Sequence, residues 1–205
     1  MISLFLDTCN HQIFIGLLKD NKLIDRFSFI NDNNLSEKLL PSIKEILDHN
    51  NIDKKELNEI YVSIGPGSFT GIRIGVTVAK TMAWSLKIKI IPVSSLEVMA
   101  STSEKKYICP IIDARRGYVY AGLYDNKLNN IIEDKYINLD ELLNDIDRDN
   151  VEFISYDDIV DNIEPNPNIE KIISKHCNDE GINPHSVNPI YLKRTEAEEK
   201  NDNRS

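Results

Sequence analysis

Several residue patterns that would declare a chemistry are missing from this 205-residue chain. Its three cysteines, Cys9, Cys109 and Cys177, are dispersed and show no CxxC spacing. An odd, scattered set makes no disulfide framework and predicts a reducing, cytoplasmic setting. The four histidines, His11, His49, His176 and His185, are never four residues apart. No HExxH occurs, so neither a helical metal-ligand pair nor a zinc-protease pattern is present, and no metal site is expected. No apolar run approaches a membrane span. The leading run Ile2–Leu6 is too short for a signal-peptide core and lacks a basic lead-in. Positive charge is also scarce: 24 Lys and Arg face 33 Asp and Glu, for a net charge of −9 with histidine neutral. No Lys/Arg cluster stands out. Such a chain repels polyphosphates, so RNA is expected to reach it only through a complex.

What is present points to an α/β protein built twice. The hydrophobic fraction of 41% is ordinary, and the length suits one domain or two small lobes. Ile2–Leu6 reads as a buried strand. Gln12–Lys19 and Leu23–Phe29 flank the turn-prone Asp20-Asn21-Lys22 and read as a hairpin. Leu4-Phe5-Leu6-Asp7-Thr8 then has a counterpart in Pro110-Ile111-Ile112-Asp113-Ala114 at an offset of 106 (113 − 7), which also sets Gly122 on Gly16. With one residue deleted, Asp20-Asn21-Lys22-Leu23 recurs verbatim as Asp125-Asn126-Lys127-Leu128. Matching order, spacing and identity predict a duplication. The lobes are expected over 1–103 and 104–196, the second reduced, with a frayed polar tail over 197–205.

After the first hairpin, Leu39, Leu40, Ile43, Ile46 and Leu47 fall on one helical face. Asn34 and Glu37 have capping-box spacing at its start, and Pro41 is expected to kink it. Asp53 and Glu56 suggest a second capped turn before a strand over Ile60–Ile64, then a long helix and a strand over Ile88–Val93. Three antiparallel strands followed by helix–strand–helix–strand make a ribonuclease-H-like unit. Its doubled form is the actin-like ATPase (ASKHA) architecture.

The most informative stretch is Gly65-Pro66-Gly67-Ser68-Phe69-Thr70-Gly71-Ile72-Arg73-Ile74-Gly75. It leaves a strand and opens a helix, where free amides favour an anion. Yet Gly-Lys-Ser/Thr is absent, so it is no P-loop. Gly67-Ser68-Phe69-Thr70-Gly71 also has the wrong spacing for a GxSxG nucleophile elbow. Gly71, Gly75, Ala79 and Ala83 recur every fourth residue. That stripe suits close packing, either within the lobe or against a second subunit, with Arg73 and Lys80 lining the contact or facing water. Asp7 and Asp113 end equivalent strands. They either cap the turns that follow or mark, with Thr8, a vestigial nucleotide site.

The segment GPGSFTGIRIG resembles the signature of the TsaB family, also called YeaZ. Leu6-Asp7-Thr8, Leu35-Ser36-Glu37-Lys38-Leu39-Leu40-Pro41, Pro92-Val93-Ser94-Ser95-Leu96, Ile112-Asp113-Ala114-Arg115-Arg116-Gly117-Tyr118-Val119-Tyr120 and Pro189-Ile190-Tyr191-Leu192-Lys193 agree with it. The resemblance implies a non-catalytic subunit in synthesis of N6-threonylcarbamoyladenosine at position 37 of tRNA. Its partners would be the transferase TsaD and the small ATPase TsaE, with ATP and a metal held by those partners and a homodimer as a further possibility. It also implies a partner surface on the first helix and the helix after the loop: Leu39, Ile43, Gly67, Ser68, Phe69, Thr70, Gly71, Arg73, Gly75, Ala79 and Ala83. Departures are Leu35, where many relatives carry His, and a short, acidic second half from Asp140 onward. The alternative is an ATP-binding phosphotransferase-like enzyme acting through Asp7 and Asp113.

Overall fold

The computed structural model describes residues 1–193; residues 194–205, including the tail expected over 197–205, lie outside them. The first sheet comprises β1 (Ile2–Asp7), β2 (Gln12–Lys19), β3 (Lys22–Ile30), β4 (Glu59–Ser63) and β5 (Lys89–Val93), in the order β3-β2-β1-β4-β5. The first three strands pair antiparallel, and β4 and β5 extend the sheet in parallel. Asp20 and Asn21, with φ of 51° and 64°, form the tight turn expected of the hairpin. Strand β1 is apolar at nearly every position because both its faces are covered. Leu4 and Leu6 face α1 (Leu35–His49) and α2 (Phe69–Leu86), while Phe5 faces the second half of the chain.

Helix α1 buries Leu35, Leu39, Ile43, Ile46 and Leu47; Leu40, expected on that face, is 53% exposed because it sits one position round the helix from Leu39, off the buried stripe. Its start differs from expectation: the Asn34 side chain makes no capping bond, and only the Asn34 carbonyl is used, by the amides of Glu37 and Lys38. Pro41 sits inside the helix on its exposed side, where water can satisfy the carbonyl that the missing N–H leaves free. The box at Asp53 and Glu56 does form, over a single 3-10 turn, Lys54–Glu56.

The second sheet contains β6 (Ile108–Asp113), β7 (Tyr118–Tyr124), β8 (Asn130–Asn138) and β9 (Glu152–Ile154), in the order β8-β7-β6-β9. That order repeats the first sheet without its last strand, and the antiparallel and parallel pairings repeat as well. The fold is therefore a duplicated ribonuclease-H-like, actin-like architecture with a reduced second copy. Helix α4 (Leu139–Asp145) has 7 residues against 15 in α1. The recurring tetrapeptide occupies equivalent hairpins in different conformations. In the second, the amide of Asp125 bonds Asn129, and Leu128 takes the left-handed conformation at φ 66°.

A shared core fills the space between the sheets. It combines Phe5, Phe14 and Tyr61 of the first sheet with Ile108, Tyr124 and Ile154 of the second. Between them lie α3 (Ser95–Ala100), buried at every position, and the Ile169, Ile172 and Ile173 face of α5 (Ile169–His176). No described helix is long and apolar enough to cross a membrane.

One ionic cluster pins α5 to α3. The buried Glu97 carboxylate accepts Lys175 Nζ at 3.0 Å and meets His176 Nε2 at 2.7 Å, while His176 Nδ1 meets Asp179 at 2.7 Å. Burial opposes the imidazolium, but the bonds to Glu97 and Asp179 outweigh it and hold His176 above the ordinary 6.5. Because the folded value is raised, the stabilisation is complete below pH 6.5 and is lost as pH rises through the folded value. Urea unfolding between pH 5.5 and 8.5, roughly spanning that window, is expected to show a falling midpoint, and His176→Gln a flatter one. Parallel curves would remove the cluster from the pH response.

Candidate functional site

The glycine loop is clamped on three sides by its own chain. From below comes the end of β1. The Cys9 carbonyl accepts the Ser68 amide at 2.7 Å, and Thr8 Oγ1 donates to the Gly71 carbonyl at 2.7 Å. A Cβ on Gly71 would lie 2.1 Å from the Thr8 carbonyl, one on Gly75 2.1 Å from Thr8 Oγ1, and one on Gly67 2.2 Å from the Cys9 carbonyl. From the side comes the start of α3: Ser95 donates its amide to the Gly65 carbonyl and its hydroxyl to the Pro66 carbonyl. The peptide joining Gly65 and Pro66 is cis. At the helix start, Ser68 caps α2 through its own hydroxyl, which accepts the Gly71 amide at 3.2 Å. The glycines thus answer close backbone approach rather than a phosphate cradle.

The third side is a strap formed by residues 182–193, which run back along α2. Ile182 bridges antiparallel to Ile90, Val187 enters the core of the first half, and the Ile190 amide bonds the Ile64 carbonyl at 2.8 Å. Lys80 Nζ bonds the Val187 carbonyl at 2.7 Å, and Arg73 Nε bonds the Tyr191 hydroxyl at 2.8 Å. The Arg73 guanidinium lies 3.7 Å from the Phe69 ring centroid, and Phe69 and Tyr191 are 5.4 Å apart. Two segments quoted for the family resemblance, GPGSFTG and Pro189–Lys193, are therefore in direct contact.

This geometry corrects the expected partner surface. Leu39, Ile43, Gly71, Gly75, Ala79 and Ala83 are buried in the chain's own core, and the small-residue stripe is where α2 lies on β1 and β4. They cannot meet a partner in the folded state. Ser68, Phe69, Thr70 and Arg73 do face outward, while Gly67 is half-buried. The outward face also carries Thr77 and Trp84, with Phe69 56% and Trp84 63% exposed. Sequence reading passed over Trp84, although a lone tryptophan at the solvent-facing end of a patterned helix is a detectable signal.

The two strand-end aspartates share a turn and differ in everything else. Asp7 accepts the Cys9 amide at 3.0 Å and Asp113 accepts the Arg115 amide at 2.7 Å, so each caps the turn that follows. Asp7 is buried, and burial pushes its carboxyl up to about 6, the Cys9 amide offsetting only part of that. Burial and the neighbouring Asp7 also push the Cys9 thiol well above its ordinary value, which makes it inert. Asp113 is exposed, and its amide donates to Asp157. The Thr8 hydroxyl spends its one proton on the Gly71 carbonyl and has none left to donate to a ligand. Among the described residues, no group of three or more His, Cys, Asp or Glu is arranged to hold a metal ion.

Two substitutions test this packing. Gly75→Ala is expected to cost on the order of 2 kcal/mol, roughly 4–8 °C in Tm, through overpacking against Thr8. Adding Thr8→Ala should recover part of the loss, and a strictly additive double variant would place the strain elsewhere. Asp7→Asn should stabilise the protein at pH 8 by up to about 3 kcal/mol. A carboxyl raised to about 6 opposes folding once ionised, so the gain should shrink towards zero near pH 4.

A family model described as TsaD, tRNA N6-adenosine threonylcarbamoyltransferase, matches residues 30–173. The tRNA threonylcarbamoyladenosine biosynthesis protein TsaB of Bacillus subtilis is 34% identical over 98% of this chain and 97% of its own length. The protein of that name from Buchnera aphidicola (Acyrthosiphon pisum) is 42% identical over 45% of this chain and 44% of its own. The solved structure of YeaZ from Pseudomonas aeruginosa superposes with a TM-score of 0.78 at 20% identity, covering 93% of this chain and 99% of that one. Kinship along 98% of the length and the shared fold lead to one assignment: the chain belongs to the TsaB (YeaZ) family.

Proposed function

We propose that this chain acts in tRNA threonylcarbamoyladenosine synthesis as a non-catalytic partner subunit. It pairs with a TsaD-type transferase and meets a TsaE-type ATPase through that pair, with ATP and metal bound by the partners. The observation that carries this reading is the identity of 34% with a TsaB protein across 98% of the chain. The internal engagement of Thr8 and the burial of Asp7 support the non-catalytic part. For the same reason, an ATP-dependent enzyme working through Asp7 and Asp113 draws no support from the geometry. The pairing surface is the outward face of α2, where Phe69, Trp84 and the strap residue Tyr191, 48% exposed, offer aromatic anchors of the kind that dominate interfaces. A second copy of the chain would use the same face.

Modification of tRNA reconstituted with the transferase, the adenylate-forming enzyme and the ATPase is expected to fail when this chain is omitted. The chain without the transferase should be inactive. Trp84→Glu and Phe69→Glu should melt within about 2 °C of the parent, as exposed substitutions do, yet lose co-elution with the transferase. Asp113→Asn should leave the rate intact. Equal modification with and without the chain would overturn the reading.

A further inference from the structure

The open end of the second sheet carries an aromatic row with no counterpart in the first half. On β7, Tyr118 and Tyr120 share a face, and Tyr136 of β8 stands directly opposite Tyr120. The Tyr118 and Tyr136 rings stack at 4.8 Å with planes 9° apart, and Tyr120 tilts against Tyr136 at 5.7 Å. Tyr124, further along that face, is fully buried, whereas Tyr118 is 38% exposed. The row thus emerges from the core into solvent.

One lysine and an arginine-bearing turn lie next to the exposed end. Lys193 Nζ lies 5.4 Å from the Tyr136 centroid. Immediately before Tyr118, Arg115 and Arg116 adopt φ of 67° and 59°, followed by Gly117 at 76°. The turn is closed by Ala114 bonding Tyr118 and Tyr118 bonding Arg115. A non-glycine residue in the left-handed region is disfavoured by contact of its Cβ with the following carbonyl oxygen, so this turn holds two arginines where glycine or asparagine would be easier. Among the described residues, no carboxylate makes a salt bridge with Arg115, Arg116 or Lys193.

We infer that Tyr118, backed by the stacked Tyr136 and preceded by the Arg115-Arg116 turn, forms a stacking platform for unpaired RNA nucleotides, with Lys193 beside it. One face of Tyr118 is spent on Tyr136, which Tyr120 and Lys193 flank in turn. The outer face of Tyr118 is therefore the one left for a base of any sequence, with cations nearby to take phosphates. Duplex RNA keeps its bases stacked inside and offers no free face. The net charge of −9 predicted RNA contact only through a complex; this platform gives the chain a direct, local contact. Asp140 and Glu141 open α4 beside the turn, whose Gly117 carbonyl accepts the Leu139 amide. Few phosphates are therefore engaged and the salt dependence is shallow. The inference rests on the proposed function only for the source of the RNA, a loop of the modified tRNA.

The test is fluorescence anisotropy with the full chain and a short fluorescein-labelled single-stranded RNA, against the same sequence as a duplex. The single strand should bind preferentially. Tyr136→Ala and the more exposed Tyr118→Ala should each weaken it roughly 5- to 100-fold. Tyr136→Phe should stay within about 2-fold, because stacking uses the ring and not the hydroxyl. Arg115→Glu with Arg116→Glu should flatten the salt dependence. Absence of single-strand preference, or Tyr136→Phe as weak as Tyr136→Ala in a variant that melts normally, would overturn the platform. So would normal RNA binding by Tyr136→Ala with loss of transferase pairing, which would mark a protein contact instead. A chain dispensable for modification would sink the proposed function while leaving RNA binding as measured.

Discussion

The first half is organised by the close approach of β1 to α2. Thr8 reaches the helix axis only because positions 71 and 75 have no side chain, and its hydroxyl then bonds the Gly71 carbonyl. That contact sets the height of α2 over the sheet. It thereby fixes where Ile72, Val76, Ala79 and Ala83 enter the core and which residues of the helix are left outside. The same strand end holds the loop through the Cys9 carbonyl, so strand, loop and helix move as one body.

The duplication has kept backbone geometry and let the chemistry diverge. Both strand-end aspartates accept the amide two residues on, yet one is sealed in the core beside Cys9 and the other stands in water near Asp157. Where the first copy follows its aspartate with a threonine that grips a helix, the second has Ala114 and then the arginine turn. Among the described residues, no helix comparable with α2 rests on the strand end of the second sheet. Its exposed end is therefore free for aromatic side chains that the first copy would have had to bury.

Much of the fold was legible in residue patterns, because strands and the α1 face are local features. The hairpin at Asp20-Asn21, the buried run at Ile2–Leu6 and the repeat at an offset of 106 all rest on neighbours in sequence. The direction of the small-residue stripe was not legible. Spacing says that Gly71, Gly75, Ala79 and Ala83 admit a close neighbour without naming it; for Gly71 and Gly75 the neighbour is Thr8, 63 residues from Gly71. Arg73 was equally ambiguous because its partner, Tyr191, lies 118 residues away. Asn34 failed as a cap because its backbone, at φ −108° and ψ 19°, does not aim the side chain at the first amides.

The strap along α2 carries a consequence for the order of events on the ribosome. Val187, Ile190 and Tyr191 join the first half's core and loop late, yet nearly every other part of that half has been synthesised about a hundred residues earlier. At translation speeds of 5–20 residues per second, the gap amounts to roughly 5–20 seconds. Through that interval the β5 edge at Ile90 and the Ile64 carbonyl stand without the partners that the strap supplies. Docking of the strap, and not completion of the first half, is the event that closes the interval.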